Sequence, residues 1–165
     1  MLIGILADSH GRFKATKAAI DLLRSRGSEF LVHCGDVGDE DIFDLLAGGA
    51  PPAAFVWGNN DFDRERLARY ARELGIICLD TFGRLELGGK RVAVTHGDHL
   101  NLMRQVTDDA SADYLLVGHT HVMVDRRVNG VRVINPGALH RSAVKSVALL
   151  DTDTDRLEFL TVTTV

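Results

Sequence analysis

The chain opens on MLIGILADSHG, residues 1–11, and its architecture can be worked out from there. LIGILA (2–7) is a continuous apolar run of strand length, as expected of a strand covered on both faces. It breaks into Asp8-Ser9-His10, three polar residues where the core-forming sequence stops. RFKATKAAIDLLRSRG (12–27) follows with helical periodicity and is closed by Gly27. The order then repeats: strand EFLVHC (29–34) and helix DEDIFDLLAGG (39–49), strand AAFVW (53–57) and helix FDRERLARYARELG (62–75). Such alternation predicts parallel strands with helices outside.

Beyond this the pattern changes. RLELGGKRVAVTH (84–96) reads as a hairpin turning at Gly88-Gly89, NLMRQVTDDA (101–110) as a helix and YLLVG (114–118) as a strand. MVDRRVNGVRVIN (123–135) is a hairpin around Asn129-Gly130, and SVALLDTDTDRLEFLTVTTV (146–165) another with a polar turn near Asp153. A parallel half followed by an antiparallel half predicts an α/β fold, a four-layer αββα sandwich of two mixed β-sheets flanked by helices. With no repeat or linker, residues 1–165 are expected to form one domain.

Nineteen Lys and Arg against 23 Asp and Glu give a formal charge of −4. That argues against a dedicated nucleic-acid groove, which needs a basic face; it does not exclude a small phosphate-bearing substrate. Cys34 and Cys78, both in apolar contexts, read as reduced thiols. No stretch approaches the roughly 18 apolar residues of a membrane span. The opening residues lack a basic leader region, so a cytoplasmic location is expected.

Ionisable residues recur at one kind of place, just past an apolar strand. Asp8 and His10 follow the first strand, Gly35-Asp36 the second and Gly58-Asn59-Asn60-Asp61 the third. His96-Gly97-Asp98 and Gly118-His119-Thr120-His121 follow the later two. In open α/β sheets, chemistry collects beyond the carboxyl ends of strands. Asp8, His10, Asp36, Asn59, His96, His119 and His121 therefore form a candidate metal-ligand set, too large for one ion. Oxygen and nitrogen donors without thiolate suit two divalent ions, manganese foremost and nickel, iron, zinc or cobalt as alternatives. Two ions about 3.5–4 Å apart clamp the attacking and leaving oxygens of a displacement at phosphorus.

These blocks, in this order, resemble calcineurin-like metallophosphoesterases, and the compact length resembles the bacterial and archaeal phosphodiesterase branch. The turn Asn135-Pro136-Gly137 resembles a later family turn. The resemblance implies that Asp8, His10 and His121 bind one metal, that Asn59, His96 and His119 bind the other, and that Asp36 bridges. It further implies a metal-bridging hydroxide as nucleophile, with Asp36, Asn59 and His96 central to catalysis. In many members a histidine follows the metal-binding Asn and serves the leaving group; here that position is Asn60, an amide with no useful pKa. The departure favours phosphodiesters, nucleotide-like ones included, over phosphoprotein monoesters.

Other polar residues have simpler readings. Asp61 can cap the following helix or orient a ligand histidine, and Asp39 can cap the 39–47 helix. His33 reads as a core histidine, and His99 and His140 as solvent-facing or near the site mouth. Arg12 and Arg141 could meet substrate phosphate or simply be solvated. A homodimer through hairpin edges is compatible with the pattern. The alternative function is a non-catalytic scaffold of the same fold that binds protein partners, as in the retromer subunit that resembles this family.

Overall fold

The computed structural model describes residues 1–163; the last two residues of the predicted C-terminal hairpin lie outside that range. The first sheet contains β1 (Leu2–Leu6), β2 (Phe30–His33), β3 (Ala53–Phe55) and β4 (Ile77–Cys78), mutually parallel and in that spatial order. Helices α1 (Phe13–Ser25), α2 (Glu40–Ala47) and α3 (Arg64–Glu73) connect them. The second sheet is built from β5 (Phe82–Leu87), β6 (Lys90–Thr95), β7 (Tyr114–Leu116), β8 (Met123–Val128) and β9 (Val131–Pro136), in the order β5-β6-β7-β9-β8. Helix α4 (Leu100–Asp108) joins β6 to β7. The last hairpin, β10 (Ser146–Asp151) and β11 (Arg156–Thr161), returns to the first sheet, where β10 pairs antiparallel with β1.

That return corrects the expected division into a parallel and an antiparallel half. Each sheet is itself mixed, because β6, β7 and β9 run parallel while β5 and β8 flank them antiparallel. The short edge strand β4 was also not foreseen. Both predicted two-residue turns are in place. Leu87 faces Lys90 across Gly88-Gly89, and Val128 faces Val131 across Asn129-Gly130, all four turn residues with positive φ, as a right-twisted hairpin requires.

Strand alternation distributes the core among three interfaces. Ile3, Ile5, Val32, Val56, Val94, Leu116, Ile134 and Leu150 fill the space between the sheets. The opposite faces of the first sheet supply Leu6, Leu31, Phe55 and Val147, which pack on Ile20, Leu23, Phe43 and Leu67 of its helices. Ala93, Leu115 and Val133 of the second sheet meet Val106 of α4. Three apolar interfaces make four layers, with the carboxyl ends of β1, β2, β3, β6 and β7 at one rim.

Candidate metal centre

Each predicted donor sits one to five residues past the carboxyl end of its strand. The loops after β1 and β2 are tied together by backbone bonds, with Asp8 N–H donating to Gly35 O and His10 N–H to Asp36 O. The two sheets are stitched across the same rim. His119 N–H donates to Asp8 Oδ2 at 3.1 Å, and His96 Nδ1 bonds to Cys34 O at 2.8 Å. A carbonyl can only accept, so Nδ1 carries the proton and the bare lone pair lies on Nε2.

That lone pair faces negative charge. His96 Nε2 lies 3.4 Å from Asp36 Oδ2 and 4.0 Å from Asp8 Oδ1, with all three side chains almost wholly buried. His10 Nε2 lies 3.3 Å from the same Asp36 oxygen, and His121 Nε2 lies 3.2 Å from Asp8 Oδ1. His119 stacks edge-on against His96, ring centres 5.1 Å apart. The structure thus groups Asp8, His10 and His121 on one side and Asp8, Asp36 and His96 on the other. Asp36 Oδ2 reaches an imidazole of each group.

Six of the seven predicted donors therefore meet here. The seventh, Asn59, is exposed, as are Asn60 and His119, and makes no side-chain hydrogen bond among the described residues; from the same loop Asn60 contacts Asp36, the N–H donating to Oδ1 and Nδ2 to Oδ2, both at 2.8 Å. Asp61 does not cap α3, whose N-cap position is Asp63, and among the described residues its carboxylate makes no hydrogen bond to a histidine. Its carboxylate accepts from Gly38 N–H at 3.0 Å and Gly58 N–H at 2.7 Å, clamping two loops of the site. Asp39 stands at the N-cap position of α2 without a side-chain capping bond. Asn135 Nδ2 donates to Gly118 O at 2.7 Å and to Thr120 Oγ1 at 3.1 Å, which fixes the loop bearing His119 and His121.

His33 is a core histidine. Ser9 Oγ donates to Val37 O, so the 2.8 Å contact between Ser9 Oγ and His33 Nε2 runs from the imidazole; burial lowers its pKa to about 3 and keeps it neutral. His99 is exposed beside Asp98. His140 is the residue the sequence understated. Its ring lies 4.8 Å from that of His10, and Nδ1 accepts from Arg12 Nε at 3.0 Å. The only sequence signal was its position three residues past the Asn135-Pro136-Gly137 turn.

Backbone and electrostatics both suit a cation at this point. Five donors, Asp8, His10, Asp36, His119 and His121, have left-handed backbone with φ between 45° and 68°, which non-glycine residues rarely adopt. Asp8 Oδ1, His10 Nε2 and His96 Nε2 are buried without hydrogen-bond partners, although a buried polar atom normally has one. Burial raises the Asp8 carboxyl to about 6 despite His96 and His121 nearby. For Asp36 burial acts upward too, but the adjacent His96 imidazole and the hydrogen bonds from Asn60 outweigh it and hold the group below its ordinary range. Lone pairs of several imidazoles and carboxylates aimed at shared points are the donor set of divalent cations, which fit here.

The packing leaves the loops no slack. A Cβ on Gly58 would collide with the backbone and carboxylate of Asp36, and one on Gly35, whose φ is +93°, would lie 2.6 Å from His96 Nδ1. Gly58→Ala is expected to displace Asp36 and lower manganese affinity at least about tenfold, since residues that orient metal ligands are worth 10–100-fold. Calorimetric titration of manganese into the folded variant checks this; unchanged affinity contradicts it.

Residues 1–155 match the calcineurin-like phosphoesterase superfamily domain. The chain belongs to that family. It is 27% identical over 156 residues to a phosphodiesterase of Methanocaldococcus jannaschii, covering 93% of this chain and 94% of that protein. A probable metallophosphoesterase of the same organism is 31% identical, over 96% of this chain and 79% of its own length. The fold superposes on a solved archaeal phosphodiesterase with a TM-score of 0.92 and 26% identity, covering 98% of this chain and all of that one. Vps29 of Entamoeba histolytica, solved with zinc, shares the fold at a TM-score of 0.69 and 18% identity over 98% of this chain and 99% of its own. Among the described residues, no helix is long and apolar enough to cross a membrane.

Proposed function

We propose that this phosphoesterase is a two-metal phosphodiesterase acting on small, nucleotide-like diesters, with Asp8, His10 and His121 holding one ion, His96, His119 and Asn59 the other, and Asp36 between them. The observation that carries the reading is the convergence of three partnerless buried atoms, Asp8 Oδ1, His10 Nε2 and His96 Nε2. Divalent ions bound there supply Lewis acidity and lower the pKa of water toward about 7. The chain's own part is positioning. Cys34 O fixes the His96 tautomer, and Asn60 orients both oxygens of Asp36. A cavity of about 270 Å³ over the donors is lined by His10, Asp36, Asn60, His119, His121, His140 and Arg141.

Asn60 is an amide with no acidic proton to give a departing alkoxide, and its backbone N–H and one Nδ2–H are directed at Asp36. Burial, with His10, Arg12 and Arg141 nearby, lowers the His140 pKa, so it stands neutral at pH 7. A leaving group must therefore depart as a stable anion or take its proton from solvent, which favours activated diesters over alkyl monoesters.

Purified protein loaded with manganese is expected to hydrolyse bis(p-nitrophenyl) phosphate at least about tenfold faster in kcat/KM than an alkyl phosphomonoester, and chelation should remove the activity. Equal or faster monoester turnover contradicts the diester assignment, and undiminished turnover in chelator contradicts the metal.

A further inference from the structure

A larger cleft of about 720 Å³ adjoins the metal centre. The start of α1 and the segment after β9 form it, and Arg12, Lys14, His140, Arg141, Ser142 and Lys145 supply its polar side chains. No carboxylate lines it. Elsewhere Arg26, Arg66, Arg91, Arg127 and Arg132 sit against acidic partners, while Arg24, Arg64 and Arg84 bond to backbone carbonyls. Among the described residues, none of the ion pairs includes Arg12, Lys14, Arg141 or Lys145. In a chain of formal charge −4, four unpaired cations in one concavity are a local reversal of sign.

The cleft borders the cavity over the metal donors. His140 and Arg141 line both, and His140 links Arg12 on one side to the His10 ring on the other. The first turn of α1 adds N–H groups without a side-chain cap. Low-dielectric walls concentrate such a field and draw anions into it. The volume suits a ligand of nucleotide size.

We propose that this cleft is a second phosphate subsite: the substrate is a small diester that bears a further phosphate beside the scissile one, its reacting group over the metal donors and its second phosphate among Arg12, Lys14, Arg141 and Lys145. The proposal rests on the phosphodiesterase reading and narrows its substrate class.

Two p-nitrophenyl esters of thymidine 5′-phosphate, one with a free 3′-hydroxyl and one with a 3′-phosphate, share the scissile bond and leaving group. With manganese-loaded full-length chain, the 3′-phosphate should raise kcat/KM about tenfold, the scale of one charge-assisted contact. Lys14→Glu with Lys145→Glu should reduce that ratio to about one or below. Lys17→Glu, on the same helix but outside the cleft, should leave it unchanged. A wild-type ratio near one, or a preference that survives the double reversal, overturns the proposal. Calorimetric titration of inorganic pyrophosphate into metal-free protein in chelator tests the cleft without turnover. Saturable binding, weakened at least tenfold by the double reversal, supports it; no binding, or equal binding in the variant, overturns it. If neither ester is hydrolysed with any divalent metal, the phosphodiesterase reading fails while the calorimetry still decides the cleft.

Discussion

Asp36→Ala is expected to cut metal-dependent diester hydrolysis by about 10³-fold or more in kcat/KM. At 1.36 kcal/mol per decade this is about 4 kcal/mol, comparable to the several kcal/mol that a Lewis acid contributes to a developing charge. Asp36 is singled out because one of its oxygens lies within 3.4 Å of imidazoles from both donor groups, His10 at 3.3 Å and His96 at 3.4 Å. Without that carboxylate the two groups lose their shared anion, and two divalent charges would face mostly neutral ligands. Alanine also frees Asn60, so the loop after β3 keeps only its Asp61 clamp on the site. Kinetics on bis(p-nitrophenyl) phosphate, with metal content measured on the same sample, decides the matter. Activity within tenfold of wild type would remove Asp36 from the centre of the mechanism.

Asp8→Asn should act in opposite directions on catalysis and on the stability of metal-free protein. Asp8 is fully buried, and its carboxyl is raised to about 6 from 3.8, burial being the main cause. Keeping it ionised at pH 8 therefore costs about 2–3 kcal/mol at 1.36 kcal/mol per pKa unit. An amide removes that cost, can still accept from His119 N–H, and suits the φ of 54° at this position, which Asn tolerates well. In chelator at pH 8 the variant should melt about 5–10 °C above metal-free wild type, at the 2–4 °C per kcal/mol usual for a chain of this size. With manganese the order should reverse, because metal binding adds stability only where the metal binds, and hydrolysis should fall about 10³-fold. Thermal scans with and without manganese check both halves. A metal-free variant no more stable than wild type would show that the buried charge is already compensated.

The parallel core was legible because a strand buried on both faces leaves an unbroken apolar run, as in residues 2–7 and 29–34. Both glycine-containing hairpin turns were legible for a local reason, since their backbone suits few other residues. The destination of β10 and β11 was not. Alternation along residues 146–161 states that each strand has two differently buried faces but not which sheet receives it; that is fixed by pairing Leu2–Ile5 with residues 148–151. Ile77–Cys78 is too short to carry a period. At the site, position after a strand end brought Asp8, Asp36 and the histidines forward together. The same rule gave no means of separating Asn59 from Asn60, or of seeing that Asp61 clamps glycine N–H groups. His140 and the cations around it come from segments far apart in the chain, so only folding reveals their proximity.

The left-handed backbone at Asp8, His10, Asp36, His119 and His121 also shapes how the sequence can drift. Besides glycine, the residues that accept such dihedrals most readily are Asn, Asp and His, which are themselves metal donors. A branched apolar replacement would meet torsional resistance before its chemistry mattered, whereas exchanging one donor for another would not. The neighbourhood of viable variants is thus weighted toward altered ion preference, and recruitment of a different metal is a shorter evolutionary walk than loss of the metal altogether.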